Sequence, residues 1–175
     1  MQFERLKLNK ADLFVRFLDD AMLKLSEDLG YKLIIAKSAK IKENSRKVVV
    51  LKYKYDPENY FKGPIVVANK KNYKELMLFL KKHPNRALAL AVNLNDFLFE
   101  KEKHVELLRS VSSLYPLPLY YVSSASKSEE LLSPLELSYA VDFFYRKDHE
   151  KSKIYKGFEE KAPSIFSDER YFERL

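Results

Sequence analysis

The sequence predicts an α/β protein with a mainly parallel sheet, and three stretches carry that prediction. Residues 87–92 are apolar at every position, as a strand covered on both faces must be. Pro118-Leu119-Tyr120-Tyr121-Val122 is a second strand, and it stops on the small polar residues Ser123-Ser124-Ala125-Ser126. Helical patterns follow each of them, so two βα units stand in series and their strands run the same way. The sheet is open or closed into an incomplete barrel, with small polar groups gathered at the strand ends.

The other elements follow in order. Asn9 reads as the cap of a first helix that buries Leu13, Phe14, Phe17, Leu18, Ala21, Met22, Leu25 and Leu29 and ends at Gly30. Residues 31–36 and 47–55 read as strands, with Lys52 and Lys54 alternating onto one face of the second. Asp56-Pro57-Glu58-Asn59 is a turn, and 63–68 form a third short strand. Asn69 or Asn72 caps a helix containing Leu76, Met77, Phe79 and Leu80, which ends near His83-Pro84-Asn85. A helix at 101–114 buries Val105, Leu108, Val111 and Leu114. Ser133-Pro134-Leu135-Glu136 opens another, with serine as cap, proline in the first turn and glutamate reaching back. Residues 1–150 are read as a single α/β domain. Residues 151–175 are read as a charged C-terminal tail packing on that domain or on a partner.

With 175 residues, 46% of them hydrophobic, the chain can bury one sizeable core. It has no cysteine, which excludes disulfides, Cys-ligated zinc, iron–sulfur clusters and a thiol nucleophile. No apolar run approaches the roughly 20 residues of a membrane span. The opening Met1-Gln2-Phe3-Glu4-Arg5 lacks a signal-peptide core, so a cytoplasmic protein with no membrane partner is expected. The net charge of +7 is uneven: residues 31–54 hold eight Lys and Arg against Glu43 alone, and 55–82 add six against three acids. A field of that kind attracts polyanions.

Chemistry-bearing groups are sparse. His83, His104 and His149 are isolated, with no second ligand at a metal-binding spacing, and read as surface or loop histidines. Asp19-Asp20 falls on the edge of a polar helix face, and no glycine-rich phosphate loop exists. Ser123-Ser124-Ala125-Ser126 has no His or acidic pattern nearby to activate a hydroxyl, so backbone-satisfying hydroxyls are expected. No catalytic residue, no metal ligand and no protein-bound cofactor is therefore assigned. The strongest signal is the cluster Lys37, Lys40, Lys42, Arg46, Lys47, Lys52 and Lys54, joined by Lys70, Lys71 and Lys74. It reads as a phosphate-backbone contact surface. Tyr31, Tyr53, Tyr55 and Tyr60 are interleaved with it, either to stack on unpaired bases or to pack the core.

The pattern over 86–144 resembles archaeal ribonuclease P protein component 3, a TIM-barrel-like subunit related to the PHP phosphoesterases. The similarity rests on the apolar strand 87–93, Phe97-Leu98-Phe99, Ser123-Ser124-Ala125 and the helix start Ser133-Pro134. Departures are Leu135-Glu136-Leu137 where the family continues Arg-Asp-Leu, and a glycine-free Val141-Asp142-Phe143-Phe144. The resemblance implies a PHP-like barrel, shortened because a middle βα unit is missing between Ala68 and Ala87. It implies a noncatalytic role in 5′ maturation of precursor tRNA, in which RNA performs the hydrolysis with Mg²⁺ and the protein stabilises the catalytic RNA. Ribonuclease P RNA, precursor tRNA and a small RRM-like protein subunit are the implied partners. Two other readings stand beside it: a structural subunit of tRNA-splicing endonuclease, suggested by residues 139–145, and a general RNA-binding assembly protein.

Overall fold

A computed structural model describes residues 8–114, 117–145, 162 and 164–175, with side chains of the long central segment described through Phe144. Six strands run parallel: β1 (Ala11–Asp19), β2 (Leu33–Lys40), β3 (Val49–Tyr53), β4 (Ile65–Ala68), β5 (Ala89–Asn93) and β6 (Leu119–Val122). They lie in two sheets. One has the order β1-β2-β3-β7, where β7 (Phe172–Arg174) is antiparallel to β3, and the other the order β4-β5-β6. The helices are α1 (Asp20–Asp28), α2 (Tyr73–Lys82), α3 (Leu94–Phe97), α4 (Lys101–Ser112) and α5 (Pro134–Tyr145). The fold is mixed α/β with mostly parallel sheets, and no closed barrel forms among the described residues.

Alternation along the strands explains how the two sheets share their cores. Leu33 and Ile35, Val49 and Leu51, Ile65 and Val67, and Ala89 and Ala91 point to one side, where they form a single apolar cluster with Leu13, Phe14, Tyr53 and Val122. Ala162, Phe166 and Phe172 from the end of the chain are buried in the same cluster. The alternate residues Ile34, Val50, Val66, Leu90, Val92 and Tyr121 face the other way and pack under the helices with Met22, Leu76, Leu80, Leu107 and Leu137. Covered on both faces, β5 is buried throughout, as its unbroken apolar run predicts.

Two seams join the sheets. Beyond β6, Ser124 N donates to Phe14 O at 3.1 Å and Arg16 N donates to Ala125 O at 2.8 Å. Beyond β3, Val67 N donates to Pro57 O at 2.9 Å. Neither seam extends into a strand pairing among the described residues.

Several expectations are corrected. The predicted first helix is strand from Ala11 to Asp19 and helix only from Asp20. A bulge between Asp12 and Val15 turns consecutive residues Leu13 and Phe14 into the same core, which imitates a helical stripe in the sequence. Asp19, not Asn9, caps that helix by accepting Met22 N at 2.8 Å. Gly30, at φ +85°, does end it. On α4 the buried residues are His104, Leu107 and Val111, whereas Val105 is exposed and Leu114 lies beyond the helix end. Between Ala68 and Ala87 the chain runs through α2, which connects β4 to β5 as a βαβ crossover. The predicted helix start at Ser133 holds: Ser133 Oγ accepts Glu136 N at 3.2 Å, and Glu136 accepts Ser133 N at 2.6 Å.

Candidate nucleic-acid interface

Because the six strands are parallel, their C-terminal ends share one rim, and most of the polar side chains that make long-range bonds collect there. Arg16 leaves β1 and pairs with Glu58 through Nη2 at 2.7 Å and Nε at 3.3 Å. Asn69, just past β4, donates to the same carboxylate at 3.1 Å, and Asn72 donates to Glu58 O at 2.7 Å. The bond from Glu58 raises the pKa of Arg16 against the effect of its burial. Lys37, near the end of β2, meets Asp56 at 2.6 Å. Burial alone would raise the Asp56 carboxyl, but bonds from Lys37, Asn59 and Glu58 N together hold it below its usual value. These pairs fix the turn after β3 across the seam to β4 and the rim of β1.

The ten predicted RNA-contacting cations divide by position. Lys40 and Lys42 stand at the end of β2, Lys54 follows β3, and Lys70 and Lys71 follow β4. All five are exposed and make no ion pair among the described residues. The backbone there is anchored: Lys42 N donates to Asp20 at 2.8 Å, Lys70 N to Asp96 at 3.0 Å, and Lys54 N to Tyr171 O at 2.9 Å. Lys37 belongs to the same rim but is held by Asp56. Lys74, in the first turn of α2, is 3.7 Å from Glu106, an exposed pair that is worth little.

Arg46 and Lys47 lie elsewhere. The crossover from β2 descends beside α1, where Ser45 bonds Glu27, and enters β3 at its N-terminal end. Val49 there is in register with Leu33, seven residues before Lys40, so about 20 Å of strand separates these two cations from the rim. Lys52 is mid-strand, half-buried, and opposite Glu173 of β7. The sequence cluster is thus a rim group, a group at the opposite end and one strand residue.

The family-motif positions also resolve. Ser123, Ser124 and Ala125 are buried immediately after β6, and Ser133-Pro134 opens α5. Ser123 Oγ donates to Asp12 Oδ2 at 2.5 Å and accepts Ala125 N at 3.2 Å. Ser124 has φ +52°, and its buried Oγ has no hydrogen-bond partner among the described residues. Sequence spacing gave no acid near these serines, yet Asp12 reaches them across the fold. A lone aspartate in the apolar run of β1 was the only signal.

The histidines are corrected in part. His104 is a core residue, bonded through Nε2 to Tyr121 Oη at 2.6 Å and stacked on Phe97 at 5.6 Å, and burial lowers its pKa. His83 is exposed at the end of α2, and His149 lies outside the described residues. Asp19 and Asp20 serve as helix cap and backbone acceptor. Among the described residues, no group of three or more His, Asp or Glu side chains could hold a metal ion, and no helix is long and apolar enough to cross a membrane.

The tyrosines separate as well. Tyr31 and Tyr53 are core, with hydroxyls bonded to Leu132 O and Leu13 O, whereas Tyr60 is half exposed. Lys62, exposed in the same β3–β4 connection three residues before β4, was not part of the predicted cluster. Comparison with known proteins returns no match to a family model, to a curated protein or to a solved structure.

Proposed function

We propose that this chain is a noncatalytic, RNA-binding protein subunit of ribonuclease P, which stabilises the catalytic RNA during 5′ maturation of precursor tRNA. The observation that carries the RNA-binding part is the set Lys40, Lys42, Lys54, Lys70 and Lys71: exposed, unpaired among the described residues, and placed at the ends of three parallel strands. Lysines held at fixed points on a rigid rim suit phosphate contacts, whose binding energy comes from released counterions.

The assignment to ribonuclease P rests on the resemblance. Its motif positions fall on and just before β5, on the end of α3 and the two residues after it, directly after β6, and at the start of α5. We read the two sheets, with their shared inner cluster and two seams, as a shortened barrel of the PHP-like type, opened on both sides. In this reading Mg²⁺ belongs to the RNA, and the protein works in the cytoplasm. A small RRM-like subunit would take an apolar surface, and Leu135, Tyr139 and Phe143 present one at helical spacing along α5.

Affinity for ribonuclease P RNA across a salt series tests the proposal. Reversing Lys40, Lys70 and Lys71 to Glu should weaken binding and flatten the slope of log affinity against log salt by about 0.7 to 0.9 per lost contact. An unchanged slope overturns the rim assignment. Binding no tighter than to unrelated RNA of equal length overturns the ribonuclease P assignment and leaves a general RNA-binding protein.

A further inference from the structure

The β3–β4 connection holds one exposed aromatic side chain, in a segment that also carries the exposed Lys54 and Lys62. Tyr60 is 50% exposed, and its position is fixed from two sides. Its backbone N donates to Asp56 O at 2.7 Å, in the turn that Lys37 and Glu58 anchor. Its ring meets Tyr55 edge-on at 6.2 Å between centroids.

Tyr55 is in turn immobilised. Its hydroxyl donates to Ile65 O at 3.1 Å and accepts Ile65 N at 3.3 Å. The ring lies so close to Gly63 that a Cβ there would stand 2.3 Å from it. On its other side Tyr55 meets Tyr171 at 6.0 Å, and the Arg170 guanidinium sits over that ring at 5.4 Å. The result is a row of rings Tyr60–Tyr55–Tyr171, the first exposed and the other two half-buried against the inner cluster, with the exposed Lys54 next to Tyr55 and the exposed Lys62 two residues after Tyr60 in the chain. The nearby carboxylates Asp56 and Asp168 are already held, by Lys37 and Arg170 respectively.

We infer that Tyr60 is a stacking platform for an unpaired base, with Lys54 and Lys62 taking the adjoining phosphates, so that the RNA segment bound here is single-stranded. This rests on the RNA-binding reading and specifies which RNA it concerns. Base stacking needs accessible ring surface and little freedom to lose; the exposure of Tyr60 supplies the first, and the contacts with Tyr55 and Asp56 supply the second. A duplex presents no free base face, so this strip has nothing to stack on in a paired region. Tyr31 and Tyr53, which sequence reasoning placed beside Tyr60, are buried and take no part.

The test measures affinity of the full chain for an unstructured single-stranded RNA and for a duplex of equal length, by fluorescence anisotropy at several salt concentrations. Tyr60→Ala should weaken single-strand binding about 5- to 100-fold, as loss of one stacked base does, and leave duplex affinity and the salt slope unchanged. Tyr60→Phe should retain wild-type affinity. Lys54→Glu with Lys62→Glu should instead reduce the slope by roughly 0.7 per contact. Photocrosslinking of 4-thiouridine RNA to the wild-type chain should place the adduct in the 54–62 connection, a readout that needs no variant to fold.

Single-strand binding that survives Tyr60→Ala, a preference for duplex, or an adduct mapped elsewhere overturns the stacking site while RNA binding stands. Absence of binding to either RNA defeats the RNA-binding reading itself, and this inference with it.

Discussion

Asp12 and Ser123 stand 111 residues apart in sequence and share a hydrogen bond of 2.5 Å. Ser123 N also points at both Asp12 oxygens, at 3.3 and 3.4 Å, and Phe14 N at one of them, at 3.3 Å. The carboxyl group is completely buried and sits where β1, distorted by its bulge, meets the end of β6. One side chain thus ties the outer strand of one sheet to the outer strand of the other.

Stability should carry the signature of this carboxyl. Burial, the largest influence, pushes Asp12 from 3.8 up to about 7, against the weaker opposing pull of the bonds from Ser123 and Phe14. Between those values the folded chain keeps a proton that the unfolded chain has released. The stability from this group is therefore complete below about pH 4, falls as pH rises through the window, and levels off above about 7. A shift of that size corresponds to a loss on the order of 4 kcal/mol. His104 acts oppositely: burial lowers its pKa, so its contribution is present above about pH 6.5 and is lost as pH falls. Comparison with Asp12→Asn isolates the carboxyl. Urea midpoints should favour the variant progressively between about pH 4 and pH 7 and by a constant margin above that. Parallel pH profiles for the two proteins would contradict the assignment.

The pair Arg16–Glu58 should matter more than an ordinary surface ion pair. Glu58 is buried and accepts from both Arg16 and Asn69, so removing it leaves the guanidinium and the amide short of partners. Glu58→Ala should cost about 1–3 kcal/mol in urea unfolding, with Glu58→Gln between it and wild type. A cost within a few tenths of a kcal/mol would show that solvent replaces these bonds.

Gly63 should not tolerate a side chain. A Cβ would collide with the Tyr55 ring at 2.3 Å, and that ring cannot retreat without breaking its bonds to Ile65. Gly63→Ala should destabilise by about 1–3 kcal/mol, and Tyr55→Leu in the same chain should relieve part of that cost. Additive effects in the double variant would mean that the two residues do not meet.

The two ends of the molecule should differ in RNA binding. Charge reversal at Arg46 and Lys47, about 20 Å of strand away from the rim, should leave the salt slope near that of wild type. The same change at Lys70 and Lys71 should lower it by about 1.5. Equal effects at both ends would replace the rim with a diffuse field over the whole surface.

Much of the fold was legible because the signals were local. Unbroken apolar runs mark β4, β5 and β6, and Ser133 with Glu136 marks the start of α5. What failed depended on distant partners. The bulge in β1 gives strand residues a helical rhythm, and His104 replaces Val105 on the inner side of α4 because Phe97 and Tyr121 accommodate its ring. The strand β7 is three residues long, and only its pairing with β3 distinguishes it from the charged tail around it. Of the candidate site, the cation-rich first half was visible, but its division between two ends follows from the register of β2 and β3. The Asp12–Ser123 contact had no sequence signature beyond an acid among apolar neighbours.

Native purification of the tagged chain, with sequencing of the co-purified RNA and an assay for precursor-tRNA cleavage, decides between a ribonuclease P subunit and the other readings. A ribonuclease P subunit should bring down enriched ribonuclease P RNA, a small protein partner and 5′ leader removal in the eluate. Recovery of splicing-endonuclease subunits, or of RNA without selectivity, would contradict that assignment.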